Sequence, residues 1–565
     1  MKKMLRFPSF VPSFPREAWT LPAVLEHQAE VRAQHPFLKW EDDGPEYSFG
    51  EVNRQVNRLA RGFWDLGIKR GSCAILFLPN SIEFLFAWFA LSKIGAIEVP
   101  INTAYRGRFL EHQVNICQAE TIIADVDLID VVRDSLRAIP SVKRVVLWSR
   151  DGRSASPLPR LGSCQVLTFR ELFSGDASNI EVRVQPQDIA GIMFTSGTTG
   201  LSKGVMMPHA QYYLFAEINV RGLEITEQDV YMSSFPMFHA NSQLLTVYPC
   251  LIAGARCTLY ERFSASQWVE RLHSSGATVT NHLGGILAFI FAQPPTLRDN
   301  THSLRRIMGG PTPYAILDEF KQRFGVREFV EAFGQTEICL PIMTPLSMNR
   351  GRPKGAAGLL VEQWFDVRLV CPDTDDEVPI GQVGELMIRH KFPWTINTGY
   401  VGMPGQTVEA WRNLWFHTGD ALRRDEQGWY YFVDRLKDAL RRRGENISSY
   451  EVELPISEHP AISEVAVVAV PADADGGEDE VKACIILKPG HSVTPKEMFE
   501  WCARRIPGFA VPRYFEFMSE FPRTPSHKVQ KSLLRAAGVT ASTWDRVRAG
   551  LRTEEELRRA NRKQC

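Results

Sequence analysis

Apolar residues along the chain alternate between short runs and longer stretches with a helical spacing. Short β-rich runs at Cys73–Leu78, Glu120–Ala124 and Val142–Trp148 predict buried strands, and the stretches Ile82–Ile94 and Leu128–Ala138 predict helices. Strands that alternate with longer helices form α/β units on a mainly parallel sheet. The sequence therefore predicts a large α/β body in the first part of the chain.

The pattern changes twice toward the C-terminus. From about Val361, short strands with clustered glycine and proline indicate a smaller β-rich subdomain. A third pattern follows Asp434, with strand-like alternation at Glu451–Ile456, Val465–Val470 and Val481–Leu487, a helix near Lys496–Arg505 and a last strand at Tyr514–Phe517. We expect a boundary near Lys437, with an N-terminal domain at residues 1–436, a small α+β C-terminal domain at 437–540 and a charged helical tail at 541–565.

Composition narrows the classes of function. The chain has 565 residues, with 65 Lys and Arg against 65 Asp and Glu, so no basic excess indicates nucleic acid or a membrane surface as a partner. The ten cysteines show no CxxC spacing, which argues against a zinc module or a disulfide framework. No stretch has the composition of a signal peptide or of a membrane span. We expect a cytoplasmic protein, and the sequence leaves open whether it forms a homo-oligomer.

A loop rich in glycine and hydroxyl side chains follows the predicted strand Ile189–Phe194. It reads TSGTTGLSKG from Thr195 to Gly204. A polyphosphate needs closely approaching backbone N–H groups, hydroxyl donors and a lysine. The candidate phosphate-binding residues are Thr195, Ser196, Gly197, Thr198, Thr199, Gly200 and Lys203. The spacing is not the Walker pattern, so ordinary P-loop ATPase chemistry is disfavoured. The alternative is a flexible surface loop.

This loop and four further motifs, in the same order, resemble the adenylate-forming superfamily of acyl-CoA synthetases, aryl-CoA ligases, luciferases and peptide-synthetase adenylation domains. The other motifs are YMSSFPMFHANSQ at Tyr231–Gln243, FGQTE at Phe333–Glu337, WFHTGD at Trp415–Asp420 and PRTPSHK at Pro522–Lys528. Within the superfamily, the sequence is most similar to the crotonobetaine/carnitine-CoA ligase-like bacterial acyl-CoA synthetases. The resemblance covers about residues 21–534 and implies an α/β N-terminal body with a small mobile C-terminal domain. It also implies an ATP-dependent carboxylic acid:CoA ligase that uses ATP, Mg²⁺ and coenzyme A.

The resemblance assigns a role to each nucleotide motif. The glycine-rich loop would hold the β- and γ-phosphates of ATP, Thr336 the α-phosphate, and Glu337 the Mg²⁺ ion. Asp420 would accept hydrogen bonds from the ribose hydroxyls, and Arg435 would reach the same sugar. The residues expected around the adenine are Gly309, Gly310, Pro311, Phe333 and Gly334. Taken alone, Glu337 is typical of a solvated surface acid and Asp420 of a Gly-Asp turn, so these roles depend on the motifs.

Lys528 and His239 are the candidate catalytic residues outside the nucleotide motifs. By resemblance, the Lys528 ammonium would bridge the carboxylate and the α-phosphate as charge moves between them. His527 stands before it where the family usually has glycine, and Lys531 is a rival for the same role. His239 would line the path between the acid pocket and the thiol channel, although a histidine among aromatic residues is more commonly a core residue.

The second half-reaction would use a different arrangement of the C-terminal domain. The resemblance implies that this domain rotates about a hinge at Lys437 and that Gly444 then lines the tunnel for the pantetheine arm of coenzyme A. Arg441–Arg443 would face either the phosphates of coenzyme A or the solvent. Arg443 stands where the family often has glycine, which is a second departure from the pattern.

The acid is the least determined part of the prediction. Its pocket is expected to be built from Phe238, His239, Gln243, Asn281–Phe289 and Ile338–Pro341, and to be largely apolar. That composition favours a hydrophobic acid of medium or larger size over acetate, without choosing between carnitine-like, fatty, aryl and steroid-derived acids. Two other functions stay open: a nucleotide- or acyl-binding protein of the same fold that has lost turnover, and a basic-patch interaction protein.

Overall fold

The computed structural model describes residues 4–150, 158–195, 201–283, 286–310, 312, 316–372, 374–435, 440–442, 445–447, 449–471, 479–522, 529 and 531–553. The chain forms two compact units. The first comprises residues 1–103, 114–194 and 204–436, and the second comprises residues 104–113, 195–203 and 437–565. The second unit therefore includes two short segments of the N-terminal half besides the C-terminal part of the chain.

The elements that precede residue 436 alternate between helix and strand over much of their length. The helices are α1 (Leu21–Val31), α2 (Phe49–Asp65), α3 (Ile82–Lys93), α4 (Arg108–Ile116), α5 (Ile129–Ser135), α6 (His209–Leu223), α7 (Ala240–Ser242), α8 (Tyr248–Ala253), α9 (Trp268–Ser275), α10 (Ile286–Phe291), α11 (Leu317–Phe324) and α12 (Pro404–Ala410). The strands are β1 (Pro36–Trp40), β2 (Glu46–Ser48), β3 (Cys73–Phe77), β4 (Ile97–Pro100), β5 (Thr121–Asp125), β6 (Arg144–Trp148), β7 (Gln165–Thr168), β8 (Ile189–Thr195), β9 (Lys203–Pro208), β10 (Val230–Ser233), β11 (Arg256–Leu259), β12 (Val279–Leu283), β13 (Arg306–Gly310), β14 (Glu328–Gln335), β15 (Cys339–Met343), β16 (Gly358–Leu360), β17 (Phe365–Val370), β18 (Val383–His390), β19 (Phe416–Arg424) and β20 (Trp429–Arg435).

One sheet contains the strands predicted from the first apolar runs. Its order is β7-β6-β5-β3-β4-β8-β9, and the ladders from β7 to β4 are parallel. The predicted strands are confirmed as β3, β5 and β6, and the predicted helices as α3 and α5. The glycine-rich loop stands between β8 and β9 in the chain. The loop leads into β9, which begins at Lys203, and α6 begins only at His209.

A second sheet positions most of the candidate site residues. Its order is β17-β18-β19-β20-β16-β15-β14-β13-β12-β10-β11-β1-β2. The ladders β10–β12, β12–β13 and β13–β14 are parallel, so the carboxyl ends of these strands meet at one edge of the sheet. From β14 to β15 the pairing becomes antiparallel, and the predicted β-rich region is confirmed as β17 to β20.

The C-terminal part has its own sheet and its own apolar core. It contains α13 (Ser449–Ser457), α14 (Pro495–Ala503), α15 (Lys531–Ala536), β21 (Leu440–Arg442), β22 (Glu445–Ile447), β23 (Ile462–Pro471), β24 (Asp479–Leu487), β25 (Tyr514–Phe517) and β26 (Trp544–Asp545). The four-stranded sheet has the order β23-β24-β25-β26. The predictions for β23, β24, α14 and β25 are confirmed.

Two predictions for the C-terminal part are wrong. Glu451–Ile456 was expected as a strand but lies within α13, where Val452 and Ile456 are buried one helical turn apart. The tail was expected to be a helix from about residue 541, but Trp544–Asp545 pairs with β25 and the Arg546 side chain is 0% exposed. Arg546 donates to the carbonyl oxygen of Pro512, so this part of the tail is packed against the sheet.

A carboxylate on β25 is held in its charged form by its neighbours. Burial alone would raise the pKa of Glu516, but the Lys482 ammonium at 2.5 Å and the hydroxyls of Thr543, Ser542 and Thr540 lower it to about 2. The ion pair and these hydrogen bonds join β24, β25 and the turn before β26. Within the part of the chain that the structure describes, no helix combines the length and the apolar character needed to cross a bilayer.

Candidate active site

Several candidate residues lie where parallel strands of the second sheet end. Gly309 and Gly310 are the last residues of β13. Phe333 and Gly334 lie near the end of the strand β14, which Thr336 and Glu337 follow directly. His239 lies on the loop after β10. Ligands of open α/β sheets bind outside the carboxyl ends of the strands. The fold therefore brings three separate sequence segments to the edge where a ligand site is expected.

Only the two ends of the predicted phosphate loop are described. Thr195 is the last residue of β8 and Lys203 the first of β9. Ser196, Gly197, Thr198, Thr199 and Gly200 lie outside the described residues. The end of the loop is held by α4, since His112 Nε2 lies 2.9 Å from the carbonyl oxygen of Ser202 and Gln113 Nε2 donates to its hydroxyl. Burial lowers the pKa of His112, which favours the neutral imidazole in this contact.

Glu337 is held in place by its neighbours and is only 9% exposed. The Tyr400 hydroxyl donates to its Oε1 at 3.4 Å, and the side chains of Asn397 and Gln211 donate to its backbone carbonyl oxygen at 2.9 and 3.3 Å. Gln211 also donates to the carbonyl oxygen of Thr336 at 2.8 Å. Burial, and then the adjacent Glu337 carboxylate, raises the pKa of Tyr400, so its hydroxyl remains a donor. The backbone of the Thr-Glu pair is thus fixed from α6 and from the loop before α12.

Asp420 is joined to the Phe333–Glu337 motif by one amide. Gln335 Nε2 donates to Asp420 Oδ2 and, at 3.0 Å, to the carbonyl oxygen of Thr418. Asp420 is only 3% exposed, and its backbone lies opposite that of Arg435 in the β19–β20 ladder. Only the backbone of Arg435 is described. The structure therefore brings together Gln335 and Asp420, which lie 85 positions apart in the sequence.

The turn before Asp420 is supported from β18. Gly419 has a φ of +69°, a left-handed conformation that glycine adopts without strain. Its N–H donates to Glu385 Oε1 at 3.0 Å, and the other Glu385 oxygen lies 3.1 Å from His417 Nδ1. Burial would raise the pKa of Glu385, but His417 and the Gly419 N–H lower it overall, so the group stays a carboxylate. Sequence reasoning missed Glu385, which has no recognisable motif around it.

Two of the predicted adenine-lining glycines pack closely against neighbouring backbone. A Cβ on Gly309 would lie 2.1 Å from the His282 carbonyl oxygen, and one on Gly334 would lie 2.1 Å from the carbonyl oxygen of Cys339. The Phe333 ring stacks on Phe432 with centroids 5.9 Å apart. Pro311 lies outside the described residues. The neighbouring backbone therefore requires glycine at both positions.

His239 lies in the loop that the sequence assigned to the acid pocket. Its ring packs against Phe238 at a centroid distance of 4.4 Å. Nearby, the Asn281 side chain donates to Asn241 Oδ1 at 2.5 Å and to the Thr246 hydroxyl at 3.0 Å. The region expected to be largely apolar therefore contains a chain of hydrogen-bonded polar side chains.

The residues predicted for the catalytic lysine, the hinge and the tunnel cannot be placed. Lys528, Lys437 and Gly444 lie outside the described residues. The rival Lys531 forms an ion pair with Glu453 at 2.6 Å and donates to the Ser449 hydroxyl at 2.8 Å.

The expectation that all three arginines of Arg441–Arg443 face phosphates or solvent is wrong for Arg442. That side chain is 1% exposed, donates to the carbonyl oxygen of Phe509 and pairs with Glu480 at 2.7 Å. Arg442 thus supports the core of the second unit.

The donor set fits a nucleotide with a bound magnesium ion better than a protein-only metal site. Within the ranges that the structure describes, no three His, Cys, Asp or Glu side chains cluster as metal ligands. Mg²⁺ commonly takes one or two protein carboxylates and completes its shell with phosphate oxygens and water. The buried carboxylate of Glu337 suits that arrangement, and the Asp420 carboxylate suits a pair of ribose hydroxyls.

Comparison with known proteins also indicates a nucleotide-binding enzyme. Residues 25–401 match the AMP-binding enzyme family, and residues 451–528 match the AMP-binding enzyme C-terminal domain. The crotonobetaine/carnitine–CoA ligase of Salmonella enteritidis is 31% identical over 505 residues, which cover 87% of this chain and 93% of that protein. The protein of the same name from Shigella flexneri is 32% identical, with 86% and 93% covered.

Solved structures agree with the fold. The anthranilate CoA ligase AuaEII in complex with anthranoyl-AMP has a TM-score of 0.67 at 26% identity, covering 93% of this chain and 98% of that one. The o-succinylbenzoate CoA synthetase from Bacillus subtilis has a TM-score of 0.77 at 23% identity, covering 92% and 98%, and shows the fold alone. The chain therefore belongs to the AMP-binding enzyme family and is an AMP-forming acyl-CoA ligase.

Proposed function

We propose that this ligase activates an organic acid larger than acetate and that the nucleotide, acid and thiol sites use the residues assigned above. In the first step, a carboxylate oxygen of the acid attacks the α-phosphorus of ATP, pyrophosphate leaves and an acyl-adenylate forms. In the second step, the thiol of coenzyme A attacks the acyl carbonyl carbon and AMP leaves with the bonding electrons. Both steps bring anionic or electron-rich groups together, so neutralising and orienting the phosphates is the main demand on the protein.

One observation carries this assignment. Gln335 joins the Asp420 carboxylate to the motif that contains Thr336 and Glu337, at the carboxyl-end edge of β10, β12, β13 and β14. A site at this edge has backbone groups from β13 and carboxylates from two other segments within one unit of the chain. That combination suits a ribonucleotide whose sugar and phosphates are recognised separately.

The described residues have distinct tasks in this proposal. Asp420 accepts from the ribose hydroxyls, and Glu385 and Gln335 hold it in position. Glu337 holds Mg²⁺, which when bound supplies positive charge beside the phosphate oxygens. Thr336 donates to the α-phosphate, and its backbone is fixed by Gln211.

Residues outside the described ranges complete the proposal. The loop residues 196–200, together with Thr195 and Lys203, hold the terminal phosphates. Lys528 neutralises the charge that moves between carboxylate and phosphate during adenylation. After that step, the hinge at Lys437 and the tunnel residue Gly444 serve the approach of coenzyme A. Exclusion of water matters throughout, because hydrolysis would destroy the adenylate.

Two observations suggest which classes of carboxylic acid to test as substrates. The relatives at 31–32% identity are named for crotonobetaine and carnitine, which makes trimethylammonium acids one class to test. The hydrogen-bonded Asn281, Asn241 and Thr246 side chains support acids that carry a polar group. We place the reaction in the cytoplasm, because the nine cysteines in the described ranges are free thiols, which suits a reducing compartment.

The test is ATP- and Mg²⁺-dependent release of pyrophosphate across a panel of acids. The panel contains acetate, long-chain fatty, aryl, steroid-side-chain and trimethylammonium acids, each with and without coenzyme A. We expect release with one class and formation of its acyl-CoA, measured by mass spectrometry. If none of the acids gives pyrophosphate release although ATP binds measurably, the result would instead favour a nucleotide-binding protein that has lost turnover.

Two lysine variants test the catalytic assignment. Lys528→Ala is expected to slow pyrophosphate release by about 100-fold or more, with a much smaller effect on thioester formation from a supplied acyl-adenylate. Lys531→Ala is the matched control, because Lys531 already has Glu453 as its partner. Loss of adenylation in Lys531→Ala with full activity in Lys528→Ala would reverse the two roles.

A further inference from the structure

Glu98 is a buried carboxyl that the roles proposed above do not use. It lies on β4 and is 0% exposed, opposite Ala74 of β3 and Gly191 of β8. Among the described residues, the side chains that hydrogen-bond to its carboxyl are Tyr212 and Gln243, and neither is a cation. An ionisable group inside a sheet and without an ionic partner is costly. The hydrogen bonds of Glu98 therefore indicate its role.

The space around Glu98 is shaped for these contacts. The Tyr212 hydroxyl donates to Oε1 at 3.0 Å, and Gln243 Nε2 donates to Oε2 at 3.2 Å. A Cβ on Gly191 would lie 2.1 Å from the Tyr212 hydroxyl and 2.9 Å from Glu98 Cγ, so glycine there makes room for the pair. Burial raises the pKa of Glu98 well above its ordinary value, which favours the protonated form.

Gln243 transmits the position of Glu98 to the loop after β10. The same Nε2 that donates to Glu98 also donates to the carbonyl oxygen of Met237 at 2.9 Å. Gln243 is the first residue of a π-helical turn, Gln243–Val247, and such turns are frequent at functional sites. Met237 directly precedes Phe238 and His239 in the chain. The position of its backbone therefore determines where the side chains of these two residues are placed.

The same loop is held from its other side by Asn80. Asn80 Oδ1 accepts from the Met237 N–H at 2.7 Å, and its Nδ2 donates to the Phe235 carbonyl oxygen at 2.9 Å. Two buried amide side chains therefore fix both backbone polar groups of Met237. In the part of the chain that the structure describes, the Asn80 side chain bonds to backbone groups, whereas Gln243 is fixed by Glu98 and, through it, by Tyr212. A buried network whose members are mutually bonded specifies one arrangement.

We propose that Glu98 is a positioning residue for the Phe238–His239 wall of the acid pocket, acting through Gln243 on Met237. The inference rests on the proposed function, in which that wall bounds the acid. Glu98 itself does not touch the substrate. Loosening the wall weakens the fit of the acid and leaves the nucleotide contacts of Glu337 and Asp420 in place. A change in the KM for the acid without a change in the KM for ATP therefore distinguishes the proposed role from a general loss of stability.

The test compares two substitutions of equal bulk. Glu98→Leu removes both acceptors and is expected to raise the KM for the acid about tenfold or more, with the KM for ATP within about twofold of wild type. Glu98→Gln keeps one acceptor and adds an N–H₂ group next to Gln243, whose own Oε1 is buried without a partner among the described residues. This neutral variant is expected to restore the KM for the acid to within about threefold.

Gln243→Met and Tyr212→Phe keep the test decisive if Glu98→Leu does not fold. Gln243→Met breaks the link to Met237 without changing the sheet and should raise the KM for the acid as Glu98→Leu does. A lowered melting temperature with an unchanged KM for the acid, in whichever of these variants folds, would overturn the inference and leave Glu98 as a stabilising residue only. Wild-type activity is measured first: no acid-dependent pyrophosphate release would overturn the proposed function, and this inference with it.

Discussion

Replacing Gln335 by methionine removes the amide that joins the two nucleotide motifs and keeps the bulk of the side chain. Its Nε2 donates to Asp420 Oδ2 and to the carbonyl oxygen of Thr418. Asp420 is only 3% exposed, so solvent has little access to replace the lost donor. A hydrogen bond to a charged group contributes about 1.5–3 kcal/mol, which corresponds to about a 10- to 150-fold change in a binding constant. We expect the KM for ATP to rise within that range.

The assay is pyrophosphate release at saturating acid, with ATP varied and the KM for the acid measured in parallel. The KM for the acid is expected to stay within about twofold of wild type, because the Gln335 side chain is joined to Thr418 and Asp420, which the proposed function places on the nucleotide. Gln382→Met is the control, since Gln382 is an exposed residue before β18. A KM for ATP unchanged in Gln335→Met but strongly raised in Asp420→Ala would refute the reasoning, because Asp420 would then hold its position without Gln335.

Three further substitutions test the site and the fold. Tyr400→Phe removes the donor to Glu337 Oε1, so the Mg²⁺ concentration for half-maximal activity should rise about two- to fivefold; an unchanged value would mean that the hydroxyl does not orient the carboxylate. Gly309→Ala places a Cβ 2.1 Å from a backbone oxygen of the neighbouring strand and should lower the melting temperature by several degrees, whereas Gly351→Ala meets no atom within 4 Å and should not; equal values would contradict the close approach. Because the pKa of Glu516 is lowered to about 2, its stabilising effect is complete above about pH 4.5 and is lost as the pH falls toward 2. Glu516→Gln should therefore reduce the free energy of unfolding by about 2 kcal/mol at pH 6 and by much less near pH 2.5, measured by denaturant titration, and a difference independent of pH would count against it.

Local patterns predicted most elements of the first sheet because their side chains are buried on both faces. The run Cys73–Leu78 is apolar throughout and becomes β3. The segment Glu451–Ile456 shows the limit of this reasoning. Its polar and apolar residues alternate as in a strand, but Val452 and Ile456 are also four positions apart, and packing selects that helical face. Two periods fitted the same six residues, and only the tertiary contacts decide between them.

The motif residues of the site could be predicted, but most of the residues that hold them could not. Glu337 and Asp420 stand in recognisable motifs, and Gln335 stands beside one of them. Tyr400 and Gln211 contact the same motif from segments that carry no such signal. Their contacts depend on which strand lies beside which, and a single sequence does not record that. The packing of the tail could not be predicted for the same reason. Trp544–Asp545 pairs with β25, about thirty residues earlier in the chain, and the adjacent Arg546 is buried.

The parallel strands that end together have an evolutionary consequence. The loop with His239, the segment after β12 and the Phe333–Glu337 motif each follow a different strand, so each can change in length or sequence while the others keep their support. In the proposed function, nucleotide recognition depends mainly on β13, β14 and β19, whereas the acid is bounded by the segments after β10 and β12. An enzyme of this layout can acquire a new acid by replacing one or two loops without rebuilding its use of ATP. Libraries confined to residues 238–242 and 286–291, which spare the buried Met237 and Gln243, are therefore expected to change substrate range and to retain adenylation.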